Sequence, residues 1–178
     1  YDTNTREIQM FSMQQTDRSG RCLCNDWIKA MTFDSRGMLW ICTTNGIAMM
    51  NPQGFVFNGR GRNTLLKGLQ CYAVCETKDG DMLIGTEAGL YRYDWKRNQM
   101  TEDAHARPLT DKVICSMVKD NQGDVWISTT NGIWHYADKQ KQILGYVGGN
   151  GLTTKEYILG ASLHLENDKV FFGTADGI

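Results

Sequence analysis

The chain has 178 residues, 41% of them hydrophobic, and a net charge of -1. That balance describes a globular chain long enough for a sizeable core, and it carries neither the basic footprint of a nucleic-acid binder nor a polybasic membrane patch. No run approaches the roughly 18 unbroken apolar residues of a spanning helix, and no signal peptide is visible.

A phrase recurs along the chain. It begins as Leu39-Trp40-Ile41-Cys42-Thr43-Thr44-Asn45-Gly46-Ile47 and returns as Met82 to Leu90, Val125 to Ile133 and Val170 to Ile178. Its threonine and second glycine stand in every copy, and the glycines Gly46, Gly89, Gly132 and Gly177 are 43, 43 and 45 residues apart. A polar turn precedes each copy (Asp34, Lys78, Asp120, Glu166), and before each turn lies a short alternating run: Ile28–Phe33, Cys71–Glu76, Ile114–Lys119 and Leu159–His164. A third run follows the glycine, as at Tyr91 to Tyr93 or Trp134 to Tyr136, and a fourth comes at Phe55 to Phe57 and Ile143 to Val147.

Four short strands per unit of about 43 residues, with Gly/Asn/Asp turns and no 3.6-residue period, predict an all-β chain of β-propeller blades. The units run approximately 4–50, 51–93, 94–136 and 137–178, giving four antiparallel four-stranded repeats and one partial propeller domain over 1–178. In this phasing "REIQMF", Arg6 to Phe11, is a fourth strand. The two chain ends are then complementary parts of one blade, which either closes on itself or pairs between two molecules as a homodimer. The chain opens on Tyr1 and stops at Ile178 inside a copy of the phrase, so a longer parent is expected.

The repeated unit, D-x-x-G-x-x-W-I-x-T-x-x-G-I followed by aromatic-x-Tyr-Asp, resembles the two-component regulator propeller repeat, best at Asp34 to Ile47 and Asp120 to Ile133. Leu83 and Phe171 replace its tryptophan in the other copies. The resemblance implies the extracytoplasmic, ligand-sensing part of a hybrid two-component histidine kinase. Such a parent is anchored in the inner membrane with this portion in the periplasm, responds to a saccharide, and controls transcription through a phosphorelay. Its implied partners are the other blades and domains of the sensor. A propeller lyase and a scaffold that binds only proteins are the alternatives.

The D-x-x-G turns lack the ligand pattern of a calcium loop and read as tight turns in which Asp accepts backbone N–H bonds. Trp40 and Trp126 read as packing between blades. His105, His135 and His164 fall at different repeat positions, and no nucleophile elbow or phosphate loop appears. Acidic pairs such as Glu102-Asp103 read as solvated charge. No catalytic residue, cofactor or metal ligand is expected, and no nucleic acid is bound by this segment. The six cysteines read as small buried thiols, with a disulfide as the alternative.

Binding concentrates on variable loops carried by a rigid scaffold. The insertions at 12–26, 58–70, 102–112 and 148–156 lead into the first strands and share one face. Arg60, Arg62, Arg107 and Lys155 suit a carboxylate or sulfate there. Trp27 and Tyr157, read as equivalent positions at the mouth of the first strand, offer rings on which a sugar stacks.

Overall fold

The computed structural model describes residues 2–17, 21–51, 53, 55–57, 65–148 and 156–178. Arg60, Arg62 and Lys155 lie outside them. The fold is four antiparallel sheets. Blade 1 comprises β1 (Ile28–Phe33), β2 (Leu39–Thr43), β3 (Gly46–Met50) and β4 (Val56–Phe57). Blade 2 comprises β5 (Cys71–Glu76), β6 (Met82–Thr86), β7 (Gly89–Asp94) and β8 (Gln99–Glu102). Blade 3 comprises β9 (Ile114–Lys119), β10 (Val125–Thr129), β11 (Gly132–Ala137) and β12 (Gln142–Tyr146), and blade 4 comprises β13 (Tyr157–His164) and β14 (Val170–Thr174). Each four-stranded sheet is a meander in chain order. The first strands β1, β5, β9 and β13 succeed one another side by side. The expected propeller blades are therefore present, and the one helical turn among the described residues is the 3-10 turn Arg107–Leu109 between blades 2 and 3.

The invariant threonine and glycine have one shared task. Thr43, Thr86, Thr129 and Thr174 donate their hydroxyls to the carbonyls of Gly46, Gly89, Gly132 and Gly177 at 2.8 to 3.1 Å. The same hydroxyls accept the backbone N–H of Asn45, Ala88, Asn131 and Asp176. The glycines take φ of 94° to 125°, which an L side chain disfavours, so both letters are fixed by the turn between the second and third strands.

At the opposite end of the hairpin, Asp34 Oδ1 accepts the N–H of Arg36 and Met38, both at 2.9 Å, and its Oδ2 accepts the Trp40 indole N–H at 3.1 Å. Asp120 repeats this with Gln122, Asp124 and Trp126. Blade 2 changes both ends together: Thr77 holds the turn through Asp81 N–H, and Leu83 stands in the tryptophan slot.

Blades pack through complementary volumes. A Cβ on Gly85 would lie 2.4 Å from Ile114 Cγ2 of blade 3. At the preceding boundary the equivalent residues are Cys42 and Cys71, both buried in one cluster with Trp40, Met82 and Tyr93. Trp40 is fully buried, with Tyr93 and Trp95 set edge-on around it at centroid distances of 5.2 and 5.8 Å. All six cysteines are free thiols, five of them buried.

Three sequence expectations change. Arg6 to Phe11 forms no strand: a fourth strand needs a free third strand, and β3, β7 and β11 are already flanked by β4, β8 and β12. The segment that follows covers blade 1 instead. Phe11, Leu23 and Cys24 pack on Ile41, Ala48 and Val56, the side of the sheet turned away from blade 2. Asp17 Oδ2 accepts the N–H of Val56 at 2.6 Å, satisfying a donor on the outermost strand.

Asp103 is the second correction. It is 3% exposed rather than solvated, because Arg92 reaches it across the sheet with Nε at 2.9 Å from Oδ2. Arg92 also pairs with Asp81 at 3.2 Å and with Asp138 of blade 3, and it donates to Tyr136 Oη at 3.0 Å. Lys141 completes the group at 2.8 Å from Asp138. Burial pushes the Asp138 carboxyl up, but the bonds from Lys141 and Arg92 outweigh it and hold its pKa below the usual value.

The third is the equivalence of Trp27 and Tyr157. A backbone bond recurs at the mouth of each blade: Thr44 to Trp27, Glu87 to Gln70, Thr130 to Val113 and Ala175 to Glu156. Trp27 is thus level with Glu156. Tyr157 pairs with Thr174 as Ile28 pairs with Thr43. The offset comes from the register shift in β13 between Tyr157 and Ser162, where three inner strands carry a shorter one.

Candidate functional site

Two faces carry candidate chemistry. The connector face holds the entrances to the first strands. Trp27 is 72% exposed there, and its backbone is fixed by Asn25, whose Oδ1 accepts Trp27 N–H at 2.8 Å and the Thr44 hydroxyl at 2.9 Å. The equivalent place in blade 2 is polar: Gln70 donates its backbone and side-chain N–H to the two oxygens of Glu87 at 3.1 and 3.0 Å. Arg107 is exposed in the 3-10 turn, which Pro108 starts and buried Leu109 anchors. No hydrogen bond, ion pair or ring contact among the described residues joins Arg107 to Trp27. Tyr157 is 7% exposed and edge-on to Phe172 at 6.4 Å, so it packs with Cys115 at the boundary of blades 3 and 4 rather than presenting a ring.

The other face holds the turns between first and second and between third and fourth strands. Among the described residues, grooves open there between blades 1 and 2 and between blades 3 and 4. Between blades 1 and 2 a cavity of about 540 Å³ is walled by Met38, Met49, Tyr93 and Trp95, with Arg36 and Asn51 at its rim. Arg36 lies over the Trp95 ring, 4.7 Å from its centroid, and donates to the Gly80 carbonyl at 2.9 Å. Between blades 3 and 4 a cavity of about 410 Å³ is lined by Asp120, Asp124, Trp126, His135, Asp168 and Phe172, among others. There Asp120, Asp124 and His135 each bring a ligand-capable atom within 4.8 Å of the others. His135 Nε2 lies 3.1 Å from Asp124 Oδ2, and its ring rests on Trp126 with centroids 4.5 Å apart.

The Asp120 turn behaves as the sequence predicts. The Asp124–His135 pair was hidden in it because Asp124 ends the turn while His135 lies on β11. One signal was legible: Met38 and Met49, Asp81 and Arg92, and Asp124 and His135 have the same spacing in their hairpins. Cross-strand neighbours at that slot are chemically matched in all three blades.

Residues 108–131 match the family model described as Two component regulator propeller. That stretch is similar to a two-component regulator propeller repeat. Over 167 residues it is 25% identical to "Histidine kinase P4" of Formosa agariphila, an alignment covering 88% of this chain and 12% of that protein. Among solved structures, the extracellular domain of a hybrid two component system from B. thetaiotaomicron superposes with a TM-score of 0.76 at 22% identity, covering 96% of this chain and 23% of the other. A second such domain from the same organism gives 0.75 at 20% identity, over 98% of this chain and 23% of that one. Virginiamycin B lyase from Staphylococcus aureus gives 0.63 at 14% identity, over 92% and 59%. These likenesses establish the propeller fold. The chain spans about an eighth of the curated relative and under a quarter of the two extracellular domains.

Proposed function

We propose that this chain is part of the extracytoplasmic sensor propeller of a hybrid two-component histidine kinase. In this reading it lies in the periplasm, binds a saccharide on its connector face, and biases a phosphorelay that controls transcription. The observation that carries the reading is the alignment with a histidine kinase along most of the chain, together with the propeller-repeat match inside it. Catalysis then belongs to other parts of the parent.

On the connector face Trp27 is the exposed ring for stacking on a sugar, and Arg107 is the described cation suited to a carboxylate or sulfate; Arg60, Arg62 and Lys155 extend the same proposal to the neighbouring connectors. A ligand acts on such a sensor only by binding two arrangements with different affinity. The arrangements proposed here are packings of this propeller against other blades, other domains or a second sensor chain. Met31 and Phe33 on β1 are 62% and 66% exposed, an apolar edge that a further blade of the parent would cover.

The test is calorimetric titration of the chain with neutral, uronate-containing and sulfated oligosaccharides. One class should bind, and Trp27→Ala should weaken that binding at least tenfold without moving the unfolding temperature. Absence of heat with every class would overturn saccharide sensing by this segment and favour a scaffold that contacts only protein.

A further inference from the structure

We propose that Asp120, Asp124 and His135 form a binding site for one divalent transition-metal ion, of which zinc is the type. It lies in the groove between blades 3 and 4, on the face away from the connectors.

The three blades with a described third strand offer an internal comparison. At the cross-strand slot, blade 1 places Met38 beside Met49, without charge. Blade 2 places Asp81 beside Arg92, so its carboxylate meets a built-in cation at 3.2 Å. Blade 3 places Asp124 beside His135 and adds Asp120, whose counterpart in blade 2 is Thr77. Blade 1 has that aspartate, Asp34, but no second ligand next to it. Among the described residues the full set of two carboxylates and an imidazole therefore assembles once, where the slot lacks a guanidinium.

The Asp124–His135 spacing suits a shared ion, and the Asp120 carboxylate lies within 4.8 Å of both. Metal–nitrogen and metal–oxygen bonds of about 2.0–2.2 Å set neighbouring ligand atoms roughly 3 Å apart. His135 Nε2 and Asp124 Oδ2 are 3.1 Å apart. Both flanking groups are held before any ion arrives. Asp120 is fixed by two backbone N–H groups and the Trp126 indole, with lone pairs left on its oxygens. The His135 ring is fixed by its contact with Trp126. Such outer bonds orient ligands as second partners do in known metal sites. The cavity of about 410 Å³ supplies an entry path and room for water at the remaining coordination position. A mixed imidazole and carboxylate set favours a borderline ion such as zinc over magnesium or calcium, which take oxygen ligands.

The test uses the 178-residue chain, zinc chloride in calorimetry and cobalt(II) as the spectroscopic probe. One ion per chain is expected, with cobalt giving ligand-field bands and no thiolate charge-transfer band. His135→Gln and Asp124→Asn should each weaken zinc at least tenfold, while His164→Gln should leave it unchanged. The metal-free variants should keep the unfolding temperature of the parent chain, which separates lost ligation from lost fold. No zinc binding, affinity unchanged in both His135→Gln and Asp124→Asn, or a thiolate band would each overturn the site.

Discussion

Trp40 donates its indole N–H to Asp34 Oδ2 at 3.1 Å, and the ring is fully buried between blades 1 and 2. One carboxylate thus closes a turn through two backbone bonds and satisfies a buried donor on the next strand. Leaving such a donor unsatisfied costs about 1–3 kcal/mol.

Exchanging Asp34 for the residue blade 2 uses isolates this link. Asp34→Thr should keep part of the turn and lose about 1–3 kcal/mol through the stranded indole. Trp40→Leu should lose less than the ~3–5 kcal/mol that truncating a buried aromatic to alanine costs, because leucine fills part of the space. The pair should lose less than the sum, because the indole that wanted the carboxylate is gone. Urea unfolding of the four proteins measures this, and strict additivity would disprove the coupling.

The boundary between blades 2 and 3 gives a steric counterpart. Gly85→Ala puts a methyl group 2.4 Å from Ile114 Cγ2 and should destabilise by about 1–3 kcal/mol. Introducing Ile114→Cys as well copies the small residue that blade 2 presents at Cys71, and should return part of the loss. If the double variant is no better than Gly85→Ala adjusted for Ile114→Cys alone, the contact is not what excludes a side chain at 85.

The Arg92 cluster predicts sensitivity to acid. The folded pKa of Asp138 lies below its unfolded value of about 3.9. Its contribution is therefore complete above that value and disappears as pH falls through the folded pKa. Asp138→Asn should lower stability near neutrality by about 1–3 kcal/mol, since the half-buried Arg92 loses one charged partner and keeps Asp81 and Asp103. The gap between the variant and the parent chain should narrow as thermal melts move from pH 6 towards pH 2. A gap constant across that range would remove Asp138 from the account.

Burial pushes the thiols up, Cys71 to about 12 and Cys75 and Cys115 to about 11, so little thiolate exists at them near neutral pH. Cys22 alone among the six is not buried. A disulfide-exchange reagent at pH 8 should label about one thiol in the native protein and all six after denaturation. Fast labelling of several native thiols would contradict the packed boundaries, and Cys22→Ser should abolish the rapid phase.

Strands and tight turns were legible because they are local. Alternation marks a strand, and a threonine three residues before a glycine marks the turn that their two bonds build. Contacts between hairpins were not. Arg92 on β7 and Tyr136 on β11 of the next blade both bond Asp103, and nothing local to Glu102-Asp103 announces either, so Asp103 read as solvent-facing. Tyr157 was misplaced because the long register shift in β13 breaks the period that had aligned the other blades. Of the connector-face residues, Trp27 has the exposure its sequence position suggested and Tyr157 does not. The Asp124–His135 pair does not show in the repeat position of either residue alone, because it forms diagonally across the hairpin, with His135 opposite Trp126 in the register.

The boundaries have a consequence for how such arrays grow. Cys42 beside Cys71, Gly85 against Ile114, and Arg92 reaching Asp138 are three different fits between units that spell the same turn. A blade copied and inserted by recombination would carry the right turn letters and the wrong seams on both sides. Lengthening the array by duplication thus demands matched repairs in two neighbours at once, and blade order is inherited as a sequence of fitted joints.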